Sequence, residues 1–415
     1  MIAKRFVTQL IDRRNEHGFR RILVFTGARQ VGKTTLVKES LTDYEYLSIE
    51  DPVMRTAYAE LTAQQWHSLY PQAALDEVQK MPRLIESIKS TYDQYPEVRY
   101  ALLGSSQLLL LQKVKESLAG RCSIFTMYPL TLPEMLTAED DSELFFSIWQ
   151  QLLRGSTPAL LPNFQLDKRM SRKMKVWQHY NAFGGYPALI DPQLADEDRY
   201  LWLANYVRTY LERDVRDLAN FRDLEPYTKL QQVMALRTGQ LLNASALATQ
   251  TGISSKTVMR YIEYLNLSFQ TLLLPPWDRN EGKRLVKSPK VHCLDQGVLQ
   301  AILRKRGGMT GAEYESLVIS ELFKQAQCLQ APVSFYHLRT QDGAEVDLLV
   351  ELSDGYYAFE IKLSEHVTKT DARHLIRLAE ILDKPLIHGY LLSNDMETKQ
   401  ITNDITALHA AMFLT

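Results

Sequence analysis

Residues 27–34 read Gly27-Ala28-Arg29-Gln30-Val31-Gly32-Lys33-Thr34, a glycine-rich string whose spacing suits few folds. It needs a buried strand running into it and a helix leaving it, so that main-chain N–H groups at the helix start converge on a phosphate. Both flanks comply: Arg21-Ile22-Leu23-Val24-Phe25-Thr26 is an apolar strand pattern, and Thr34-Thr35-Leu36-Val37-Lys38-Glu39 opens a helical one. The order predicts a parallel α/β sheet whose loop, together with Thr35, cradles a nucleoside triphosphate. Lys33 would reach the β/γ oxygens and the Thr34 hydroxyl would ligate Mg²⁺.

Further strand patterns at 46–49, 73–75 and 99–103 alternate with helical ones up to about residue 135, so a first domain is expected over 1–135. Ala73-Ala74-Leu75-Asp76-Glu77 ends a strand in two carboxylates beside the phosphate loop. Asp76 is placed to hold Mg²⁺ through water, and Glu77 to polarise the attacking water as general base. The strand at 99–103 runs into Gly104-Ser105, where Ser105 is a candidate sensor of the γ-phosphate and equally a helix N-cap. Arg121, after Gly120, is a candidate arginine finger acting in trans.

Composition bounds the partners. The chain has 415 residues, 45% hydrophobic, enough for two to four cores. With 48 Lys plus Arg against 49 Asp plus Glu, no overall field draws it to a polyanion, so a nucleic-acid surface must be a local patch. Three distant cysteines without C-x-x-C spacing predict neither a disulfide framework nor a zinc site. No apolar run approaches membrane-span length, and cytoplasmic residence is expected.

Beyond the first domain, 136–220 reads as a connector followed by a helical region, 221–300 as a winged-helix-like domain and 301–415 as a C-terminal α/β domain. Within the second of these, residues 246–262 pattern as helix, Gly252 turn and a helix capped by Ser254. Ser255, Lys256, Thr257 and Arg260 would face DNA, and Arg279, Lys283, Arg284, Lys287 and Lys290 would supply a basic strip on a following wing. A lid or packing module is the open alternative.

Phe183-Gly184-Gly185-Tyr186-Pro187 and residues 206–215 join the phosphate loop, Leu75-Asp76-Glu77-Val78-Gln79 and Leu118-Ala119-Gly120-Arg121 in one combination. It resembles the predicted AAA+ ATPases of bacteria and archaea that carry a C-terminal nuclease-like domain of unknown function. The resemblance spans nearly the whole chain and implies ATP rather than GTP, and a homo-oligomer, as a ring of six.

In the last domain, Glu315 lies on a helical pattern, Asp347 on a strand pattern, and Glu360 and Lys362 on the next strand's same face. These positions resemble the PD-(D/E)xK nuclease core. The resemblance implies Mg²⁺ held by Glu315, Asp347 and Glu360, with Lys362 orienting a water. Cross-strand ion pairing is the plainer reading of the same residues. Three functions follow: an ATP-driven machine acting on DNA, a nucleotide-gated switch, and a DNA-binding scaffold with an inactive nuclease fold.

Overall fold

The computed structural model describes residues 3–16, 21–104, 114, 116–140, 144–156, 163–211, 223–280, 282, 284, 287–340 and 343–415. Ser105, Lys283 and residues 212–215 lie outside them.

Strands β1 (Ile22–Gly27), β2 (Glu45–Ser48), β3 (Gln72–Asp76), β4 (Arg99–Leu103) and β5 (Cys122–Met127) form one parallel sheet in the order β2-β3-β4-β1-β5. Both faces are covered at the centre, which is why β1, β3 and β4 are mostly apolar, while the edge strand β2, Glu45-Tyr46-Leu47-Ser48, is only partly buried. Leu23, Phe25, Ala101, Leu103 and Phe125 pack on one side with Leu36 and Val37 of the Lys33–Ser40 helix. Ile22, Val24, Tyr100 and Leu102 pack on the other with Leu84, Ile85 and Ile88 of the Arg83–Gln94 helix. β4 lies between β1 and β3, so the acidic strand is one place removed from the phosphate-loop strand.

The middle unit comprises the Glu225–Leu236 helix, β6 (Gln240–Leu241), the Ala244–Thr251 and Ser255–Leu267 helices, β7 (Thr271–Leu274) and β8 (Lys290–Cys293). Its small antiparallel sheet runs β6-β8-β7. Local signals set the helices: Asn243 and Ser254 cap two N-termini, and Gly252, at φ 74°, ends the helix between them.

The last unit opens with the Gly311–Cys328 helix, started by a Thr310/Glu313 capping box. It continues through β9 (Ser334–Arg339), β10 (Glu345–Glu351), β11 (Tyr356–Ile361), β12 (Leu386–Ser393), β13 (Lys399–Thr402) and β14 (Ile405–His409). The sheet is mixed, ordered β13-β14-β12-β11-β10-β9. β12 to β14 extend the sheet beyond the helix and two strands that carry Glu315, Asp347 and Glu360; His388 and Gly389 break the apolar alternation within β12.

The connector of 136–175 is a keystone. Trp149 is fully buried against the rings of Tyr357, Phe359 and Phe413, and its Nε1 donates to Leu322 O at 2.9 Å. Beside it the Gly311–Cys328 helix meets the first unit: Glu321 accepts from Leu132 N at 2.7 Å and from the Tyr180 hydroxyl at 2.6 Å. The three cysteines are buried, and among the described residues none is in a disulfide. Among the described residues no helix is long and apolar enough to cross a membrane.

Candidate nucleotide site and C-terminal acidic cluster

At the carboxyl edge of the parallel sheet, Gly32 (φ 88°) turns the chain into the Lys33–Ser40 helix with no side-chain cap, so the first helical N–H groups face the loop. Lys33 is buried, and its Nζ donates to Gly27 O at 2.9 Å and Ala28 O at 2.7 Å. The Thr34 hydroxyl donates to Asp76 Oδ2 at 2.7 Å, bridging the width of β4, and the Tyr46 hydroxyl donates to the same oxygen at 2.6 Å. Burial and then that bond push the Tyr46 phenol well above its ordinary pKa, so it stays a donor. Asp76 Oδ1 accepts from Glu77 N at 2.9 Å. Glu77 itself sits at φ 59°, a left-handed conformation that is costly for a non-glycine residue and recurs at functional sites. The Thr34 hydroxyl and Asp76 carboxylate are hard oxygen donors already side by side, which fits a Mg²⁺ ion shared with phosphates.

Beside the loop opens a cavity of about 370 Å³ whose walls include Arg5, Val31, Leu36, Leu130, Pro187 and Ile190. Its size and mainly apolar lining suit a nucleoside. One buried carboxylate organises its rim: Glu134 accepts from Phe6 N, Thr131 N and Arg5 Nη1 at 3.0, 3.0 and 3.3 Å. The glycine pair behind the cavity has no room for side chains. A Cβ on Gly185 would stand 2.2 Å from Leu130 O, and one on Gly184 2.2 Å from Asp295 Oδ1. Gly185 N donates to Asp295 Oδ2 at 2.9 Å, while the Tyr186 hydroxyl meets that of Tyr206, which reaches Arg29 O in the phosphate loop at 3.3 Å. Tyr206 opens a π-helical turn, Tyr206–Leu211, a geometry frequent at functional sites.

The second concentration of charge lies where β10 and β11 pair antiparallel, Leu348 opposite Phe359; that register carries Asp347 next to Glu360. Asp347 Oδ2 accepts from Ile361 N at 2.8 Å, and Lys362 Nζ stands 2.8 Å from Glu360 Oε1 and 3.6 Å from Asp347 Oδ2. Lys290, from β8, stands 3.2 Å from Glu315 Oε1 and 2.8 Å from Glu345 Oε1. Burial, and then the neighbouring Asp347, push the carboxyls of Glu315 and Glu360 above the usual range. Burial would discharge Lys290, but Glu315, Asp347 and Glu345 hold its pKa above the ordinary lysine value. The expected metal set of Glu315, Asp347 and Glu360 is therefore not assembled: among the described residues no three acidic, histidine or cysteine side chains are placed to hold an ion. Two ammonium groups take the oxygens instead.

Residues 19–136 match the AAA domain family, while 174–307 and 310–413 match two domains of unknown function, DUF8612 and DUF4143. Uncharacterised proteins of Mycobacterium bovis and Mycobacterium tuberculosis are each 30% identical over 352 residues, spanning 82% of this chain and 70% of theirs. The chain belongs to their family and is an AAA+ ATPase. Among solved structures, a Walker-type ATPase of Pyrococcus abyssi aligns with a TM-score of 0.46 at 13% identity, covering 71% of this chain and 94% of that one. The Aeropyrum pernix ORC1 protein in complex with DNA gives 0.29 at 15% identity over 73% and 93%.

In this AAA+ chain the other expected site residues are dispersed. Arg121 precedes β5, and Cys122 pairs with Ile22, so it lies at the sheet edge opposite the phosphate loop. Its guanidinium grips Asp93 at 2.7 and 3.1 Å, which holds the Asp93 carboxyl below its usual pKa. It cannot reach the phosphates of its own protomer.

Of the described members of the basic strip, Arg284 and Lys290 are buried, whereas Arg279 and Lys287 are exposed. Arg284 is buried against Glu351 at 3.0 Å, Arg279 donates to Ile381 O at 2.8 Å, Lys287 pairs with Asp278 at 2.7 Å, and Lys290 enters the acidic cluster. Trp277 on the same segment bonds the Tyr356 hydroxyl at 3.0 Å. The segment expected as a wing thus fastens the middle unit to the last. On the Ser255–Leu267 helix, by contrast, Ser255, Lys256, Met259 and Arg260 face solvent. Arg5, Glu134 and Asp295 carry no motif that singles them out. Only the paired glycines 184 and 185 hint that two chain segments cross there.

Proposed function

We propose that this AAA+ ATPase hydrolyses ATP and passes the nucleotide state to its middle and C-terminal units, which act on DNA. The observation that carries the first part is the Thr34 hydroxyl bonded to Asp76 with Glu77 held immediately beyond it. Lys33 would exchange its carbonyl partners for β/γ oxygens, a charge-assisted bond in place of a neutral one. Thr34 and Asp76 would hold Mg²⁺, which supplies charge neutralisation on the phosphates. Glu77 would take the proton of the attacking water. The cavity at Val31, Leu36 and Pro187 would seat the nucleoside.

The DNA part draws support from the middle unit, which we read as a winged helix whose Ser255–Leu267 helix offers Lys256 and Arg260 to a phosphate backbone. A second reading, a nucleotide-gated switch with a non-cleaving nuclease fold, is favoured by Lys290 being taken up by the acidic cluster and Arg284 by Glu351.

The test is Mg²⁺-dependent ATP hydrolysis by the purified chain with and without single-stranded, duplex and branched DNA, following the DNA in the same reactions. Stimulation by one DNA class that Lys256→Ala/Arg260→Ala removes supports action on DNA. Slow turnover indifferent to every DNA, with the DNA unchanged, leaves the switch.

A further inference from the structure

Lys290 belongs to the middle unit, yet its ammonium lies among the carboxylates of the last one, with the side chain only 5% exposed. It bridges Glu315, on the Gly311–Cys328 helix, to Glu345, at the start of β10. Lys362 does the same for Asp347 and Glu360 on the far side of the cluster. Four carboxylates therefore share two ammonium groups, and the balance is incomplete. Glu360 is 4% exposed, and its Oε2 is buried with no hydrogen-bond partner. That carboxylate lines a cavity of about 270 Å³ shared with Glu345, Asp347, Lys362, Arg373 and His374. A buried carboxylate oxygen without a donor is costly, and a cation in the cavity is what its chemistry asks for.

We propose that Lys290 is a built-in counter-cation that keeps a divalent cation out of this cluster, and that the cluster binds one once Lys290 is withdrawn. The inference rests on reading the cluster as a nuclease-like cation site. An ammonium and a divalent cation compete for the same oxygens, and the ammonium is tethered, so its effective concentration is high. The ion needs several carboxylate oxygens converging on one point, whereas Lys290 turns Glu315 and Glu345 toward itself.

The tether leads back to the nucleotide half. β8 runs on through Cys293 to Asp295, whose carboxylate accepts from Gly185 N. Gly185 adjoins Tyr186 and Pro187, and Pro187 lines the cavity beside the phosphate loop. A shift of that wall would pull on the segment carrying Lys290.

The experiment titrates Mn²⁺ into the nucleotide-free full chain, counting free ion by electron paramagnetic resonance and following thermal melting. Lys290→Met is compared with the wild type, each with and without Asp347→Asn. Lys290→Met should gain one Asp347-dependent ion bound about tenfold or more tighter than in the wild type, and Mn²⁺ should raise the melting temperature of that variant alone. Equal Asp347-dependent affinity in wild type and Lys290→Met overturns the role of Lys290 and leaves the cation-site reading standing. No Asp347-dependent binding in either overturns both. Should Lys290→Met lack native circular dichroism, Lys290→Gln, which keeps a hydrogen-bond donor in place, decides by the same criteria.

Discussion

Lys33 and Lys290 are both buried, and they are held in different ways. Lys33 donates to the carbonyls of Gly27 and Ala28, partners without net charge that a phosphate outbids. Lys290 donates to two carboxylates, and removing either side of such a buried pair leaves an uncompensated charge. On the proposed reading the Lys33 ammonium passes from those carbonyls to the phosphates, whereas the acidic cluster draws counter-charge from another unit of the same chain. A lysine beside acids or loops is therefore no guide to a site until its resting partners are known.

The sharpest way to break the comparison lies at Glu77. If the nucleotide site is poised, Glu77→Gln lowers the hydrolysis rate by roughly 10²–10⁴-fold, the contribution of a positioned general base, while ATP binding persists. Wild-type turnover in the variant would move the base elsewhere. Lys33→Ala is the complementary case: triphosphate binding itself should be lost, read by nucleotide fluorescence.

Next in size is the joint between the halves. Trp149→Ala should destabilise the protein by about 3–5 kcal/mol, as for a large buried aromatic, in one cooperative denaturant transition. Because Trp149 bonds Leu322 and packs on Phe359 and Phe413, both ATP binding and C-terminal signals should be lost together. Two separated transitions in the wild type would show that the halves fold independently.

That joint also marks where the sequence stops being legible. The phosphate loop and its strand and helix are contiguous, so their geometry follows from local pattern. Asp76 is readable because its strand ends in acids, although β4's place between β1 and β3 is not. Glu315, Asp347, Glu360 and Lys362 can be named as a group, since each has the right residue type on the right element. What cannot be read is that Lys290 joins them. Its role depends on how β8 docks against β10, and a lysine bound for a carboxylate has the same local sequence as one bound for DNA. Trp149 is hidden for the same reason, in a stretch whose polar and glycine content reads as linker.

Acid should separate the regions next. Burial depresses the pKa of His292 to about 3 and of His409 to about 4. Both are then neutral in the folded state and protonate more readily unfolded. The unfolded chain binds more protons below the ordinary histidine value near 6.5. Stability is thus fully present above that pH and falls as the pH drops from about 6.5 toward the folded values, by up to ~1.4 kcal/mol per unit for each histidine. Urea midpoints at about pH 7 and about pH 5.5 check it. The raised carboxyls of Glu315 and Glu360 act in the opposite sense, so the check compares wild type with His292→Gln/His409→Gln; an equal pH dependence in the two would remove this role of the rings.

The glycine pair tests the contact between the regions most directly. Gly184 and Gly252 share a φ of 74° but not a ψ: Gly252, at ψ 20°, is left-handed and costs alanine about 1–2 kcal/mol, whereas Gly184, at ψ −160°, lies in a region that essentially only glycine occupies. Their surroundings differ. A Cβ at 252 meets nothing within 4 Å, whereas one at 184 would lie 2.2 Å from Asp295 Oδ1. Gly184→Ala should therefore cost a further ~1–3 kcal/mol, the scale of overpacking. It should also disturb the Gly185–Asp295 bond that links the nucleoside-side wall to β8. If that bond couples the halves, Gly184→Ala changes ATP affinity and Gly252→Ala does not. Equal losses in the two variants would reduce the glycine pair to a turn that happens to lie near an aspartate.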